Sequence, residues 1–123
     1  MLSDFSLVGF IPTTDRTRAR RFYVDLLKLN LVAEDDFALV VAAKGANIRI
    51  SEVGAFSPAK YTILGWEVPD IVVTVRELTD KGVSFSRYPH FQQDDLGIWT
   101  SPSGSKVAWF SDTDGNVLSL SQH

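Results

Sequence analysis

The chain has 123 residues (13.7 kDa), 45% of them hydrophobic and 22% charged, which predicts one globular domain and excludes disorder and collagen-like repetition. Twelve Lys and Arg against fifteen Asp and Glu give a net charge of -3, the wrong sign for nucleic acid or an anionic membrane as principal partner. There is no cysteine, so disulfide frameworks, thiolate chemistry, zinc fingers and Fe–S clusters are excluded.

No apolar run approaches the ~20 residues of a membrane span. Met1-Leu2-Ser3-Asp4 does not read as a signal peptide. The expectation is a cytoplasmic protein without a membrane partner.

In chain order, Leu7 to Ile11 reads as a short strand closed by Pro12-Thr13-Thr14-Asp15. Ala19, Phe22, Tyr23, Leu26 and Leu27 then form an apolar helical stripe, spaced at i, i+3, i+4, i+7 and i+8. Thr14 or Asp15 is its natural N-cap. After Asn30 come strand-like stretches at Asp36 to Ala43 and Ala46 to Val53, joined by a turn at Lys44-Gly45. Gly54 to Lys60, with Pro58, reads as a linker.

The pattern then restarts. Tyr61 to Val68 is a strand, Pro69-Asp70 opens a helix and Gly82 is placed to end it. The run Ile71 to Val75 is β-branched, yet Asp70, Leu78 and Gly82 punctuate it as a helix's start, core face and stop. Val83 to Arg87, Gly97 to Ser101, Lys106 to Phe110 and Asn116 to Ser121 read as strands. Pro102-Ser103-Gly104 and Asp112-Thr113-Asp114-Gly115 supply the turns between the last three. Asp15 and Asp70 are separated by the same interval as Tyr23 and Leu78, and Ile48-Arg49-Ile50-Ser51 alternates like Leu118-Ser119-Leu120-Ser121. The chain therefore reads as a β-α-β-β-β unit written twice, about residues 5–53 and 61–122, within a single domain.

The stretches Asp15…Arg20-Arg21-Phe22-Tyr23…Leu26-Leu27 and Trp66-Glu67-Val68-Pro69-Asp70…Leu78…Gly82-Val83 resemble the vicinal oxygen chelate superfamily. That superfamily comprises glyoxalase I, bleomycin- and fosfomycin-resistance proteins and extradiol dioxygenases. The ending Ala108 to Asn116 is similar to its terminal Asp-Pro-Asp-Gly-Asn hairpin, with Thr113 where proline is usual. The resemblance implies an α+β fold of two βαβββ modules, whose curved mixed sheets form a cup-shaped cavity. It also implies a homodimer. It does not settle activity, because the superfamily holds isomerases, dioxygenases and pure binding proteins.

Metal-dependent members take His, Glu or Gln ligands from the first and last strand of each module. The corresponding positions here are Val8, Arg49, Leu64 and Ser119. None is a usual ligand, and Arg49 places a cation where the metal would sit. No metal or other cofactor is therefore expected. The alternative is a divalent-metal lyase, isomerase or dioxygenase with displaced ligands drawn from His90, Glu52, Glu67 or an aspartate. Glu52 and Glu67 are assigned the strand parity facing away from the cavity, and His90, with Asp94 and Asp95 close by, reads as a solvated loop residue.

Other chemistry finds little support. Asp112-Thr113-Asp114-Gly115-Asn116 lacks the Gly and Glu spacing of an EF-hand, and no Walker A, Gly-x-Gly-x-x-Gly or Gly-x-Ser-x-Gly motif occurs. Asp35-Asp36 and Asp94-Asp95 read as solvated loop charges, and Arg16, Arg18, Arg20 and Arg21 as the solvent face of the first helix.

The aromatic residues are the more informative group. Phe10 and Trp66 are assigned the inward parity of Val8 and Leu64, while Trp109 and Phe110 must face opposite sides. Phe10, Arg49, Trp66, Trp99, Trp109 and Ser119 are the expected cavity residues, suited to a small acidic or aromatic organic ligand. Arg49 is expected to lack a protein partner, because no acidic residue shares the inward positions of the neighbouring strands. The resulting expectation is a metal-independent binding or sequestering protein.

Overall fold

In the computed structural model, which describes residues 1–123, the strand-forming stretches pair into two four-stranded sheets. The chain divides into two compact units, Met1–Ser57 and Pro58–His123. The first contains β1 (Val8–Thr13), α1 (Arg16–Arg20), β2 (Asn30–Glu34), β3 (Ala38–Ala43) and β4 (Ala46–Glu52). The second contains β5 (Thr62–Glu67), α2 (Ile71–Asp80), β6 (Trp99–Thr100), β7 (Lys106–Ser111) and β8 (Val117–Gln122). The sheet orders are β1-β4-β3-β2 and β5-β8-β7-β6. In each, the first strand runs parallel to the last and the remaining pairs are antiparallel. Each unit is thus a βαβββ module with the same topology.

In the first unit, the Asp15 carboxylate accepts the Arg18 amide and starts α1, satisfying one donor that a helix leaves orphaned. The helix continues as a π-helical turn over Arg21–Leu26. Ala19, Phe22 and Tyr23 are buried, as are Ile11, Ile50 and Leu39, which lie in one cross-strand row. Residues directly opposite across a ladder share a face, so this row marks the covered side of the sheet. Phe10, Arg49 and Val40 form the neighbouring row on the other side. Strand β1 runs two residues beyond its expected end, through Pro12 and Thr13. Proline is tolerated because β1 is an edge strand bonded only to β4. Strand β2 is an element that the sequence reading does not assign, and its ladder to β3 is interrupted by a bulge between Leu31 and Ala33. Asp36 and Phe37, expected in a strand, form the turn before β3. Asp35 Oδ1 accepts the amides of Phe37 and Ala38 at 2.8 and 2.9 Å and bends the chain there.

In the second unit, Asp70 caps α2 by accepting the Val73 amide. Gly82, with φ of 97°, turns the chain out of the helix in a conformation that favours glycine. Ile71 and Val75 are buried against a sheet face made by Leu118, Leu120, Phe110 and Ala108. The hairpin at Asp112–Asn116 is closed by its own groups. The Asp112 carboxylate accepts the amides of Asp114 and Asn116 and the Asn116 side-chain amide, all within 2.9 Å.

Two expected strands differ. Val83 to Arg87 is not a strand; one of its amides, that of Ser86, donates to Trp109 at 2.7 Å before the chain turns away at Pro89, which has no amide to extend a ladder. Gly97 to Ser101 shortens to the two residues of β6.

Candidate functional site

The second unit carries an extended aromatic cluster. The loop from Tyr88 to Leu96 folds back over β7 and brings Tyr88 and Phe91 to the Trp109 ring, with His90 against both of them. Phe91 stacks on Trp109 with centroids 5.1 Å apart and planes 4° from parallel. Tyr88 meets Trp109 edge-on at 5.4 Å, His90 lies 4.4 Å from Phe91, and Trp99 lies 4.7 Å from Phe91. Such pairs hold one another in place beyond their simple burial.

Hydrogen bonds position the loop. Gln93 Oε1 accepts the Tyr88 amide, while its Nε2 donates to the carbonyls of Ser86 and Gly97, each at 2.8 Å. Arg87 donates to the carbonyls of Asp94 and Asp95 at 2.6 and 2.8 Å. Asp94 Oδ1 accepts the amides of Leu96 and Ile98. Asp94 therefore works as a turn former inside the loop.

The rings border a cleft of about 320 Å³ lined by Lys60, Tyr61, Thr62, Tyr88, His90, Phe91, Trp109 and Val117. Thr62, Val117 and Trp109 form its floor on the sheet face opposite the buried Leu118 row. Lys60 and Tyr61 stand exposed at its edge. A more polar neighbouring cleft is bordered by Gln92, Gln93, Asp94, Ile98, Trp99 and Thr100.

Of the expected cavity residues, Trp109, Trp99 and Ser119 come together: Trp109 pairs with Ser119 across the ladder, and Trp99 stands 6.1 Å from Trp109. Trp66 does not join them. It pairs with Leu120 and stacks on Phe110 at 6.2 Å, on the covered face. A bulge between Thr62 and Leu64 is the cause. It inserts one residue into β5, so Leu64 pairs with Leu118, and Gly65 takes the place opposite Ser119. A one-residue shift sends every later side chain to the other face. The inward parity assigned to Leu64 and Trp66 is therefore reversed. Glu67, assigned the outward side, pairs with Ser121 and shares the face of Ser119.

Phe10 and Arg49 lie side by side in the first unit. Arg49 is not the unpartnered cation expected from the strands: its Nη2 meets Asp35 Oδ2 at 3.0 Å. The partner comes from the β2–β3 turn, which a search of strand positions passes over. Asp35 is accordingly no free loop charge. Its carboxyl is held below the usual carboxylate range by the Phe37 amide first, then by the Arg49 and Ala38 bonds. Arg16, assigned to the solvent face, instead clamps the same turn. Its guanidinium donates to the Asp35 and Asp36 carbonyls and pairs with Glu34 and Glu52, and only 18% of its side chain is exposed.

The four superfamily ligand positions do not fit a divalent cation. Val8 offers no donor atom, nor does Gly65, which takes the place assigned to Leu64 opposite Ser119; Arg49 is cationic and already paired, and Ser119 offers one neutral hydroxyl. Glu52 is engaged by Arg16, and no group of three His, Cys, Asp or Glu side chains gathers in an arrangement that could hold a metal. Tyr61, Tyr88 and Phe91, the cleft aromatics the sequence reading passed over, have no periodic pattern. Their one signal is the aromatic density of Tyr88-Pro89-His90-Phe91 in a loop.

No protein-family model and no curated protein matches the sequence. Solved structures do resemble it. A glyoxalase/bleomycin resistance protein/dioxygenase superfamily member from Sphaerobacter thermophilus DSM 20745 is 22% identical, with a TM-score of 0.76, covering 97% of each chain. Lactoylglutathione lyase from Agrobacterium tumefaciens is 12% identical, with a TM-score of 0.76, over 96% of this chain and 92% of that one. TnmS3, an antibiotic binding protein from Streptomyces sp. CB03234, is 26% identical, with a TM-score of 0.66, over 96% and 94%.

Proposed function

We propose that this chain, which has the fold of the glyoxalase/bleomycin resistance/dioxygenase (vicinal oxygen chelate) superfamily, is a metal-independent protein that binds and sequesters a small planar organic molecule. The observation that carries this reading is the cleft in the second unit, whose side is the stacked Phe91–Trp109 pair with Tyr88 and His90 beside it. Rings held by one another form an apolar wall already fixed in orientation, so a planar ligand gains contact area at little ordering cost. The likeness to an antibiotic binding protein supports sequestration, and the donor-poor ligand positions support independence from metal.

We also assign it to the cytoplasm as a homodimer. No helix is long and apolar enough to cross a membrane, and Phe5, Leu7, Val8 and Phe10 stand exposed on and before the edge strand β1.

Calorimetric titration with a neutral planar probe, 2-naphthamide, tests the binding reading. Wild type takes up the probe, and Trp109→Ala weakens uptake by about tenfold, the equivalent of ~1.4 kcal/mol. Absence of binding, or indifference to Trp109→Ala, overturns the reading. Stoichiometric metal in protein purified without chelator or affinity tag overturns the metal-independent part.

A further inference from the structure

The rim of the aromatic cleft carries a charge asymmetry. Of its eight lining residues, Lys60 is the one with a permanent charge, His90 is an imidazole, and none is Asp or Glu. Lys60 lies at the exposed edge and forms no ion pair. The side chains of Asp94 and Asp95 belong to the same loop but do not line the cleft.

Aromatic faces by themselves attract cations, because the ring face is electron-rich. A site built for a cationic aromatic compound would be expected to keep a carboxylate at its mouth and no ammonium. Here the arrangement is the reverse. The geometry points to a planar aromatic ligand bearing an acidic group, a carboxylate or an ionised phenol, with its ring against Trp109 and Phe91 and its anion toward the Lys60 ammonium. Tyr61, exposed beside Lys60, adds apolar surface over the same edge. This inference rests on the binding role proposed for the cleft and adds the ligand's charge class. It also moves acid recognition from Arg49, which Asp35 already occupies, to Lys60.

Three probes of one shape and different charge test it: 2-naphthoate, 2-naphthamide and 2-naphthamidine, titrated calorimetrically into the full chain at low and high salt. The expected order of affinity is anion, then neutral, then cation, with naphthoate favoured over naphthamide by about fivefold at low salt and by less at high salt. Lys60→Met removes the anion's advantage, read as the ratio of naphthoate to naphthamide affinity within the variant, and Lys60→Glu reverses the order. Lys60 is exposed, so both variants keep the fold, which circular dichroism checks. Equal or stronger binding of the amidine overturns the inference, as does an anion preference that survives Lys60→Met. If naphthamide binds through Trp109 with no preference for the anion, the charge assignment alone fails. If none of the three binds, the binding role of the cleft fails with it.

Discussion

Gly65 shows how closely one position of β5 is constrained. A Cβ there would lie 2.9 Å from Ser119 Oγ and 3.3 Å from the Ser119 carbonyl oxygen, the second of which is backbone and yields little. Gly65→Ala should therefore destabilise the fold by roughly 1–3 kcal/mol, as overpacking does, read as a lower urea midpoint at unchanged slope. In the first unit, Asp35 ties the β2–β3 turn to Arg49. Its carboxyl is depressed in the folded state, so its stabilising contribution is fully present above the unfolded value of about 3.9 and disappears as pH falls through the lower folded value. Asp35→Asn should therefore make the urea midpoint less sensitive to acidification below about pH 5. An unchanged acid profile counts against this role. The pair is half-exposed, so Arg49→Ala should cost little stability, well short of what an orphaned buried carboxylate would cost.

Among the elements, the loop between α2 and β6 has the greatest effect on the site. One side chain, Gln93, satisfies a backbone amide and two carbonyls at three separate points of it. Gln93→Leu leaves those three groups without this partner, and unmade bonds of buried or half-buried groups cost about 1–3 kcal/mol each where water does not replace them. The expected outcome is a lower midpoint of unfolding and faster amide exchange at Tyr88. Trp109 emission should also shift red as Phe91 and Tyr88 loosen from it. Emission and exchange like those of wild type would show that the ring contacts hold the loop without Gln93. Strand β5 has a comparable role for the sheet, because its bulge decides that Trp66 packs with Phe110 and that Ser119 faces a glycine.

For the whole molecule, exposed apolar surface bears on assembly. Phe10 is 67% and Leu7 83% exposed, and β1 has a free edge within its own sheet. Edge strands with apolar side chains are templates for pairing unless covered. Light scattering at tens of micromolar, a concentration at which a dimer of about micromolar Kd is well populated, should give twice the chain mass. Phe10→Glu should shift it toward the monomer. A monomeric wild type removes the dimer and leaves both βαβββ units as they are.

The sequence by itself determined the two βαβββ modules, because capping aspartates, apolar periodicity and turn residues are local signals that repeat in the same order in both halves. Asp15 and Asp70 cap the two helices as read, and the hairpin at Asp112 to Asn116 closes on its own carboxylate. Tertiary structure decided which faces those elements present. A single inserted residue in β5 reverses the parity of Leu64 and Trp66; Gly65 beside it marks a bulge or a close backbone approach, but it does not say which residue is inserted. The partner of Arg49 lies in a turn, and the cleft's Tyr88, His90 and Phe91 come from a loop held by a glutamine. Such contacts join residues by folding in space and follow no spacing along the chain, so periodicity alone cannot reveal them.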